Sequence, residues 1–414
     1  MNRVVITGMG VISPVGLDVN TFWDSLLSGT CGVDTITRYD TTGMKVQLAA
    51  EVKGFDPVNF GIDKSAARKL DLFVQYTLAA AKEAMEQSGL KSGENVPAER
   101  LGVYIGSGIG GIQTFMEAAT RCNEKGPERI SPHFIPMMIA NMASGNTAIT
   151  YGAKGPTLPV VTACATSNHA IGEAFHAIKA GYADAILAGG SEAAILPLAV
   201  GGFTNCMALT TATDPLAASL PFDSRRGGFV IGEGAGVLVL ESEEHAKQRG
   251  ATIIAEICGY GNTCDAFHIT APDPSAESSA RAIRLAMEEA GYQDGDRVYI
   301  NAHGTGTQLN DGSETKAIKL ALGDEAAHRA MVSSTKSMTG HMLGAAGAAE
   351  CIASALALQN GVLPPTIGLT EPDPDCDLDY IPLVKRETQC DIALNISLGF
   401  GGHNACIALR KAKA

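Results

Sequence analysis

The chain has 414 residues, of which 45 % are hydrophobic and only 18 % are charged, with 47 glycines and few aromatic side chains. This length is typical of two coupled halves, and the composition favours a large, tightly layered α/β protein. With 31 basic and 44 acidic residues the net charge is −13. That charge argues against a general binder of nucleic acid or of an anionic membrane.

The first residues and the cysteines indicate a cytoplasmic protein. The chain does not begin with the long apolar run of a signal peptide, and no apolar stretch reaches the length that spans a membrane. Ten cysteines occur, none in a Cys-x-x-Cys pair and none with the spacing of zinc ligands. We therefore expect a soluble cytoplasmic protein with reduced thiols and without a metal, nucleic acid or membrane partner.

Hydrophobic periodicity and turn residues predict the elements of the first hundred residues. In chain order these are a strand at Arg3–Thr7 turned by Gly8–Gly10, a helix at Thr21–Ser28, irregular chain over 30–62, a helix at Lys64–Ser88 and a strand at Leu101–Ile105. Gly89, just past the second helix, is a typical helix end.

A glycine-rich loop, Gly106–Gly111, joins this last strand to a helix that is predicted to begin at Ile112. The loop matches the Gly-x-Gly-x-x-Gly fingerprint of dinucleotide binding. However, the chain after Cys122 does not form a second parallel strand, and no acidic residue ends such a strand to bind a ribose. A nucleotide-binding oxidoreductase is therefore the weaker interpretation.

A β-branched run over residues 159–162 leads to Cys164, and an alanine-rich segment, His169–Ala180, follows it. The pattern predicts a strand, a sharp turn and a helix, with the thiol at the start of the helix. Unpaired N–H groups and the positive end of the helix dipole favour thiolate, the reactive form. The alternative interpretation of Cys164 is a small buried core residue.

A weak internal repeat relates the two halves of the chain. Ala84–Leu90 resembles Ala286–Tyr292, which lies 202 residues later, and a similar strand and glycine turn follow each segment. An alanine-rich helix also follows Cys164 in one half and Lys336 in the other. We therefore predict two duplicated halves, residues 1–254 and 255–414, whose strand ends meet at one place. The strands predicted between these landmarks are Ala185–Ala188, Gly236–Leu240 and Ile253–Gly259, with a helix at Glu243–Arg249.

Three turns of the second half carry unusual side chains directly after predicted strands. His303 follows Val298–Ile300, Lys336 and His341 follow Met331–Ser333, and Phe400 follows Ile392–Ile396 within a glycine-rich turn. Active sites of layered α/β folds collect at strand ends. Two histidines flanked by glycine and threonine, with a candidate nucleophile in an equivalent turn, therefore indicate catalysis.

Four of these segments together resemble the motifs of the β-ketoacyl-acyl-carrier-protein synthases, and above all the type II condensing enzymes of dissociated fatty acid synthesis. The segments are Thr162–Cys164, His303–Thr307, Lys336–His341 and Gly399–Gly402. They have the family's order and spacing, and the resemblance runs from Arg3 to Leu409. It implies a thiolase-like five-layered α-β-α-β-α fold, built from two duplicated halves with mixed β-sheets.

The resemblance also implies a reaction, the decarboxylative condensation of an acyl thioester with malonyl-acyl carrier protein. Cys164 would hold the acyl group covalently, and the backbone N–H groups of Cys164 and Phe400 would bind the oxyanion. His303 and His341 would stabilise the enolate that forms when CO2 leaves. No metal or organic cofactor is required, because the substrates travel on the 4′-phosphopantetheine of the carrier.

Supporting residues follow from the same resemblance. Lys336, paired with Glu350, would orient His341, and Thr305 and Thr307 would bind the pantetheine amides. The acyl pocket and its gate are assigned to Ile109, Phe203 and Phe400. The alternative interpretation of Thr305 and Thr307 is that their hydroxyl groups only bind the local backbone of the turn. We expect a structural role for His403, an additional histidine in the last glycine loop.

The implied partner is an acidic acyl carrier protein, which an enzyme with a charge of −13 would repel without a basic patch. The candidate patch consists of Lys64, Arg68, Lys69 and Arg129, the first three on one face of the predicted helix. Met207 stands where related enzymes often have an arginine, which weakens this patch. The family is homodimeric, with the strand before Cys164 near the two-fold axis.

Three alternatives stay open at this point. A polyketide ketosynthase has the same motifs. A thiolase uses a second cysteine near the last glycine loop, but here Cys406 lies four residues beyond Gly402 and His341 occupies the site typical of decarboxylating enzymes. A non-catalytic chain-length factor would not be expected to retain Cys164, His303, Lys336 and His341.

Overall fold

The computed structural model describes residues 2–412. The strands in this range are β1 (Val4–Ile12), β2 (Asp34–Thr35), β3 (Leu48–Ala49), β4 (Leu101–Gly106), β5 (Ala185–Glu192), β6 (Gly234–Ser242), β7 (Ala255–Cys264), β8 (Val298–Asn301), β9 (Met331–Ser333), β10 (Val362–Leu363), β11 (Arg386–Glu387), β12 (Ile392–Gly399) and β13 (His403–Lys411). 

The helices of the same range are α1 (Val19–Ser28), α2 (Lys64–Ala67), α3 (Leu72–Ser88), α4 (Ile112–Lys125), α5 (Phe134–Met138), α6 (Met142–Tyr151), α7 (Thr166–Lys179), α8 (Pro197–Asn205), α9 (Glu243–Gln248), α10 (Glu277–Glu289), α11 (Gln308–Leu322), α12 (Asp324–Arg329), α13 (Lys336–Thr339) and α14 (Ala346–Asn360). Among the described residues, no helix combines the length and the hydropathy needed to cross a bilayer.

Nine strands form one sheet in the order β4-β5-β6-β1-β7-β13-β12-β8-β9. At its centre β1 and β7 pair antiparallel through Val4–Ile6 and Ala255–Ile257. Outward from this seam, each side has two antiparallel pairings followed by a parallel pair, β5 with β4 and β12 with β8. β9 then adds in parallel to β8, and the segment 157–161 adds to β4 through a parallel bridge between Thr157 and Val103. The two sides of the sheet therefore repeat one topology.

Helices complete five layers around this sheet. α3 packs on β1 and β6 on one outer face, and α10 packs on β7 and β13 on the other. Between the two halves lie α7, which contacts β5 and β13, and α14, which contacts β6 and β12. The order α-β-α-β-α and the mixed strand directions confirm the predicted fold class.

The predicted turn at Gly8–Gly10 is wrong, because both glycines lie within β1. A Cβ atom on Gly8 would lie 2.1 Å from the carbonyl oxygen of Ala84, and one on Gly10 would lie 1.9 Å from that of Ala80. These glycines therefore allow α3 to pack directly on the strand backbone, which is a packing reason for glycine rather than a turn.

The single helix predicted at Lys64–Ser88 is also wrong, because the chain forms α2 and α3 with a break between them. Asp63 caps α2 by accepting hydrogen bonds from the backbone N–H groups of Ser65 and Ala66, at 2.7 and 2.9 Å. Asp71 caps α3, and its carboxylate also accepts from Thr114. Each new helix therefore begins at a capping aspartate. Arg68 and Lys69 lie past the end of α2, so they do not share one helix face with Lys64.

Most other predicted elements are present with shifted bounds. The run at 159–162 forms no regular strand but an extended edge segment, held by Leu158 N donating to Val103 O at 3.1 Å. β5 and β12 extend past their predicted ends to Glu192 and Gly399, which brings both residues to the edge where the candidate site lies.

Candidate active site

Cys164 lies at a sharp turn between the edge segment and α7. The turn, Ala163–Ala165, is a 3₁₀ helix, and Ala163 has a φ of 50°, an uncommon left-handed conformation for a residue with a Cβ atom. Hydrogen bonds on both sides hold the turn: Ala165 N donates to Thr162 O at 3.1 Å, and Thr162 N donates to Thr166 Oγ1 at 2.9 Å. The backbone therefore places the thiol at the head of α7, as the sequence predicts.

A cavity of about 470 Å³ opens at this turn. Its walls include six of the residues that the sequence analysis selected: Cys164, His303, Thr305, Thr307, His341 and Phe400. These residues come from both halves of the chain and follow different strands. The fold therefore brings the candidate nucleophile of the first half to the two histidines of the second half.

The two histidine rings of the cavity are nearly perpendicular, with centroids 5.2 Å apart and an interplanar angle of 86°. Leu343 N donates to His341 Nδ1 at 3.3 Å, so a neutral His341 ring carries its proton on Nε2. Burial, together with the charge of Lys336, lowers the pKa of both histidines well below the ordinary value. Both imidazoles are therefore neutral at pH 7 and can donate a hydrogen bond without carrying a charge.

Lys336 is fully buried and forms an ion pair with Glu350, also buried, through Nζ and Oε1. A buried ammonium requires such a partner because desolvation of an isolated charge is costly. The charge of Lys336 lowers the pKa of His303, His341 and the Cys164 thiol. The pair therefore acts on the electrostatics of the whole cavity, although Lys336 itself does not line it.

Burial raises the pKa of the Cys164 thiol to about 12, and the nearby charge of Glu192 acts in the same direction. The charge of Lys336 and hydrogen bonds from the N–H groups of Phe400 and Cys164 lower it, but they do not offset burial. The thiol is thus protonated at neutral pH, and the thiolate expected from the helix start does not prevail in the free protein.

Phe400 lies in the turn between β12 and β13. Gly401 and Gly402 there have φ values of 89° and 76°, which favour glycine. Gly401 N donates to Ile269 O at 2.8 Å, and Asp265 N donates to Gly402 O at 2.8 Å, so the turn is held against a neighbouring loop. The Phe400 ring lies 6.4 Å from the ring of Phe203.

Of the residues assigned to substrate binding, Thr305 and Thr307 line the cavity, whereas Phe203 and Ile109 do not. Thr305 and Thr307 line it and lie 3.0 Å apart through their Oγ1 atoms, and Thr307 also caps α11. Phe203 packs in the same cluster as Cys164 but, like Ile109, is not part of the cavity wall. The acyl-pocket roles of Ile109 and Phe203 therefore stay predictions.

The four candidate docking cations are exposed, and none of them lines the cavity. Lys64 is the first residue of α2, Arg68 and Lys69 follow its end, and Arg129 lies in a 3₁₀ turn after α4. Met207, which does line the cavity, is 89 % exposed. The mouth of the cavity therefore presents an apolar side chain where the resemblance led us to look for a cation.

Two buried carboxylates near the site escaped the sequence analysis. Glu314, on α11, accepts hydrogen bonds from His303 N at 2.6 Å and Gly304 N at 2.8 Å, and so holds the turn that carries His303. Glu192, at the end of β5, accepts from backbone groups of both halves. Glu192 follows an apolar predicted strand, and this position could have marked it as a candidate site residue. Glu314 lies on a helix, whose periodicity did not distinguish it from an exposed carboxylate.

Comparison with known proteins assigns the chain and its fold to the thiolase-like condensing enzymes. The model of the β-ketoacyl synthase N-terminal domain matches residues 1–246, and that of the C-terminal domain matches residues 254–370. The chain belongs to the β-ketoacyl synthase family and is an acyltransferase-type condensing enzyme.

Individual relatives resemble the chain over its full length. A protein of Staphylococcus aureus (strain COL) named 3-oxoacyl-[acyl-carrier-protein] synthase 2 is 51 % identical, with 100 % of this chain and 99 % of the relative covered. A Synechocystis protein of the same name is 48 % identical, with 99 % and 98 % covered. A solved type II polyketide ketosynthase, in complex with its acyl-carrier protein and bound to a hexaketide, is 36 % identical, with a TM-score of 0.91 and both chains fully covered.

Proposed function

We propose that this chain is a 3-oxoacyl-acyl-carrier-protein synthase of the type II class, which elongates fatty acids. It condenses acyl-carrier-bound acyl groups with malonyl-carrier and releases CO2. The observation that carries the proposal is one cavity whose wall contains a thiol, two neutral imidazoles and the glycine-rich turn of Phe400. Relatives with this name are 48–51 % identical, against 36 % for the polyketide ketosynthase, which favours fatty acid elongation over polyketide synthesis.

In the first step, Cys164 attacks the carbonyl of the acyl thioester. The new bond joins Sγ to the acyl carbon, the bond to the pantetheine sulfur breaks, and the thiol proton ends on that leaving sulfur. The N–H groups of Cys164 and Phe400 stabilise the tetrahedral oxyanion, because both belong to turns in the cavity wall next to the reacting thiol. Fixed donors of this kind cost no reorganisation as the charge develops.

In the second step, the malonyl group loses CO2 and its electron pair enters an enolate. His303 and His341 donate hydrogen bonds to the enolate oxygen, which neutral imidazoles can do while remaining neutral. The enolate carbon then attacks the acyl group on Cys164, the bond to Sγ breaks to release the thiolate, and a proton from solvent regenerates the thiol. Lys336, held by Glu350, orients His341 and sets the local field without reacting.

Substrate binding uses residues in the cavity wall and two residues outside it. Thr305 and Thr307 bind the pantetheine amides, Phe400 gates the acyl pocket, and Ile109 and Phe203 line it. We propose that the reaction needs no metal or organic cofactor, because the departing CO2 drives carbanion formation and the substrates are carried on 4′-phosphopantetheine.

The partner that delivers these substrates is an acyl carrier protein. The relative solved with its own carrier supports this class of partner. We assign docking to the exposed cations Lys64, Arg68, Lys69 and Arg129, which the acidic carrier would meet at an otherwise acidic enzyme. The cytoplasm, where thiols stay reduced, is the compartment that the ten free cysteines favour.

A second copy of the chain completes the assembly that we propose. The edge segment 157–161 covers β4 on one side, and within residues 2–412 no strand pairs with its other side. Leu158 and Val161 on this segment are 46 % and 52 % exposed, and an apolar edge of this kind favours pairing with another chain. The dimer axis would then lie next to the turn that carries Cys164. Within each chain, we propose that the boundary between the two duplicated halves lies at residue 254.

Trapping the acyl intermediate tests the proposed reaction. The protein is incubated with a carrier loaded with a medium-chain acyl group, digested, and the adduct is mapped by mass spectrometry. We expect the acyl mass on the peptide that contains Cys164. Acylation at another residue, or none, would contradict the assignment. His341→Ala provides a second arm: it should spare acylation and slow malonyl decarboxylation, and equal loss of both would contradict the division of roles.

A further inference from the structure

The backbone turn that carries Cys164 occurs a second time in the molecule. We call Ala163–Ala165 the first elbow and Leu343–Ala345 the second elbow. Both are 3₁₀ turns that lead directly into a long helix, α7 or α14. Both begin with a residue other than glycine in the left-handed conformation, with φ values of 50° and 48°. Gly344 therefore occupies in the second elbow the position of Cys164 in the first.

The two elbows differ in the strand end that faces them. β5 and β12 are each eight residues long and occupy equivalent places in the two halves of the sheet. β12 ends at Gly399, which has no side chain, and a Cβ atom added there would already lie 3.4 Å from Cys164 N. β5 ends at Glu192, whose Oε2 accepts a hydrogen bond from Gly344 N at 3.0 Å. A carboxylate thus fills the place that stays free at the first elbow.

The same carboxylate binds the loop after β4. Its Oε2 also accepts from Gly108 N at 2.9 Å, and its Oε1 accepts from Ile109 N at 3.1 Å and Ser107 Oγ at 2.8 Å. Glu192 is fully buried and its four partners are all donors. Three of these partners are backbone N–H groups, which can only donate, so the hydrogen bonds favour the ionised form, whereas burial raises the pKa of Glu192 above its ordinary value.

Each end of this network leads to a part of the proposed site. On one side, Leu343 of the second elbow donates its N–H to His341 Nδ1 at 3.3 Å, which fixes the ring and its proton. On the other side lies Ile109, assigned to the acyl pocket. Gly108 is also close to the first elbow, since a Cβ atom on it would lie 3.3 Å from Ala163 O.

We propose that Glu192 is a positioning residue of the condensation: its buried carboxylate binds the second elbow to the 107–109 loop and thereby orients His341 for malonyl decarboxylation. A glutamine at this position would direct its NH2 group at one or two backbone N–H donors, Ile109 N on one side or Gly108 N and Gly344 N on the other, so the contact between the two loops would weaken. The Glu192 charge also raises the pKa of Cys164, which provides an independent readout. The inference rests on the proposed roles of Cys164 and His341.

Glu192→Gln tests the inference in the full-length protein. We expect malonyl decarboxylation and condensation to fall by about 10-fold to 100-fold, as for other small misplacements of catalytic groups, while the rate of Cys164 acylation changes less than about 3-fold. The apparent thiol pKa, read from the pH dependence of alkylation at Cys164, should fall. Ser107→Ala removes one of the four donors and should shift the decarboxylation rate in the same direction by a smaller factor.

Glu83→Gln is the control, because Glu83 is a partly buried carboxylate that accepts from Val11 N and Val19 N outside the cavity. It should change neither rate. Equal losses of acylation and decarboxylation in Glu192→Gln, or no loss in either, would overturn the inference; if that variant does not fold, Ser107→Ala decides by the same ratio. Failure of the wild-type protein to acylate at Cys164 would instead overturn the proposed function.

Discussion

The first and second elbows are built alike but differ in what they offer to a ligand. Each places a strained residue before a small residue at the head of a buried helix. At the first elbow the small residue is Cys164, and the facing strand ends in Gly399, which leaves the backbone N–H free. At the second elbow it is Gly344, whose N–H is bound by Glu192. The same backbone turn can therefore carry a reactive residue or bind two loops together, and the residue at the end of the facing strand decides which.

The substitution with the largest expected effect removes the thiol of the first elbow. Cys164→Ala should abolish acylation and lower condensation by at least about 10³-fold, because Cys206, the other thiol that lines the cavity, lies at the end of α8 and not at the first elbow. Malonyl decarboxylation should persist, since His303 and His341 remain. Rates of both steps, measured with loaded carriers, check this. Cys122→Ser, on α4 and outside the cavity wall, is the control and should retain both activities.

Breaking the ion pair next to the second elbow should mainly affect stability. Lys336→Met leaves Glu350 buried and unpaired, which should lower the free energy of unfolding by about 3–5 kcal/mol. Denaturant unfolding measures this, and adding Glu350→Gln should restore part of the loss. The exposed pair of Lys53 and Asp34 is the matched control: Lys53→Met should cost less than about 1 kcal/mol. Similar losses in both variants would refute the buried role.

Narrowing the space at the first elbow should imitate what Glu192 does at the second. A Cβ atom on Gly399 would lie 2.8 Å from Thr162 O and 3.4 Å from Cys164 N, so Gly399→Ala requires the turn to shift. We expect condensation to fall by about 10²-fold, the cost of losing one oxyanion donor, with most of the loss in acylation. Single-turnover acylation rates measure it. Unchanged acylation would show that the N–H of Cys164 is not needed.

The smallest effect concerns the support of the first elbow by a neutral histidine. His169 Nδ1 lies 2.8 Å from Thr162 Oγ1, and burial lowers the His169 pKa to about 4. The unfolded chain binds this proton below about pH 6.5 and the native state does not, so falling pH removes stability between pH 6.5 and 4. Relative to His169→Gln, the wild type should lose about 1.4 kcal/mol per pH unit in that window. A pH-independent difference in unfolding free energy would contradict this.

The sequence by itself indicated the reaction, through its resemblance to one family, and selected the residues proposed to perform it. A thiol and two histidines in turns after predicted strands, in the order and spacing of that family's motifs, allowed Cys164, His303 and His341 to be selected before any contact was known. The alternation of β-branched runs with alanine-rich helices likewise predicted the layered fold, and the weak repeat predicted its two halves. Periodicity reports burial along one element, and for that information local sequence is sufficient.

Tertiary structure alone decided the contacts between elements. Gly8 and Gly10 resembled a turn because the sequence does not show that α3 packs against their backbone. The hydrophobic periodicity over residues 64–88 is that of one helix, so it did not reveal the break before the capping residue Asp71. The state of the Cys164 thiol depends on burial from all sides, which outweighs the helix start. Glu192 could not be assigned a role from sequence, because its four donors come from loops more than 80 residues away along the chain. Only the folded chain brings those donors to one carboxylate.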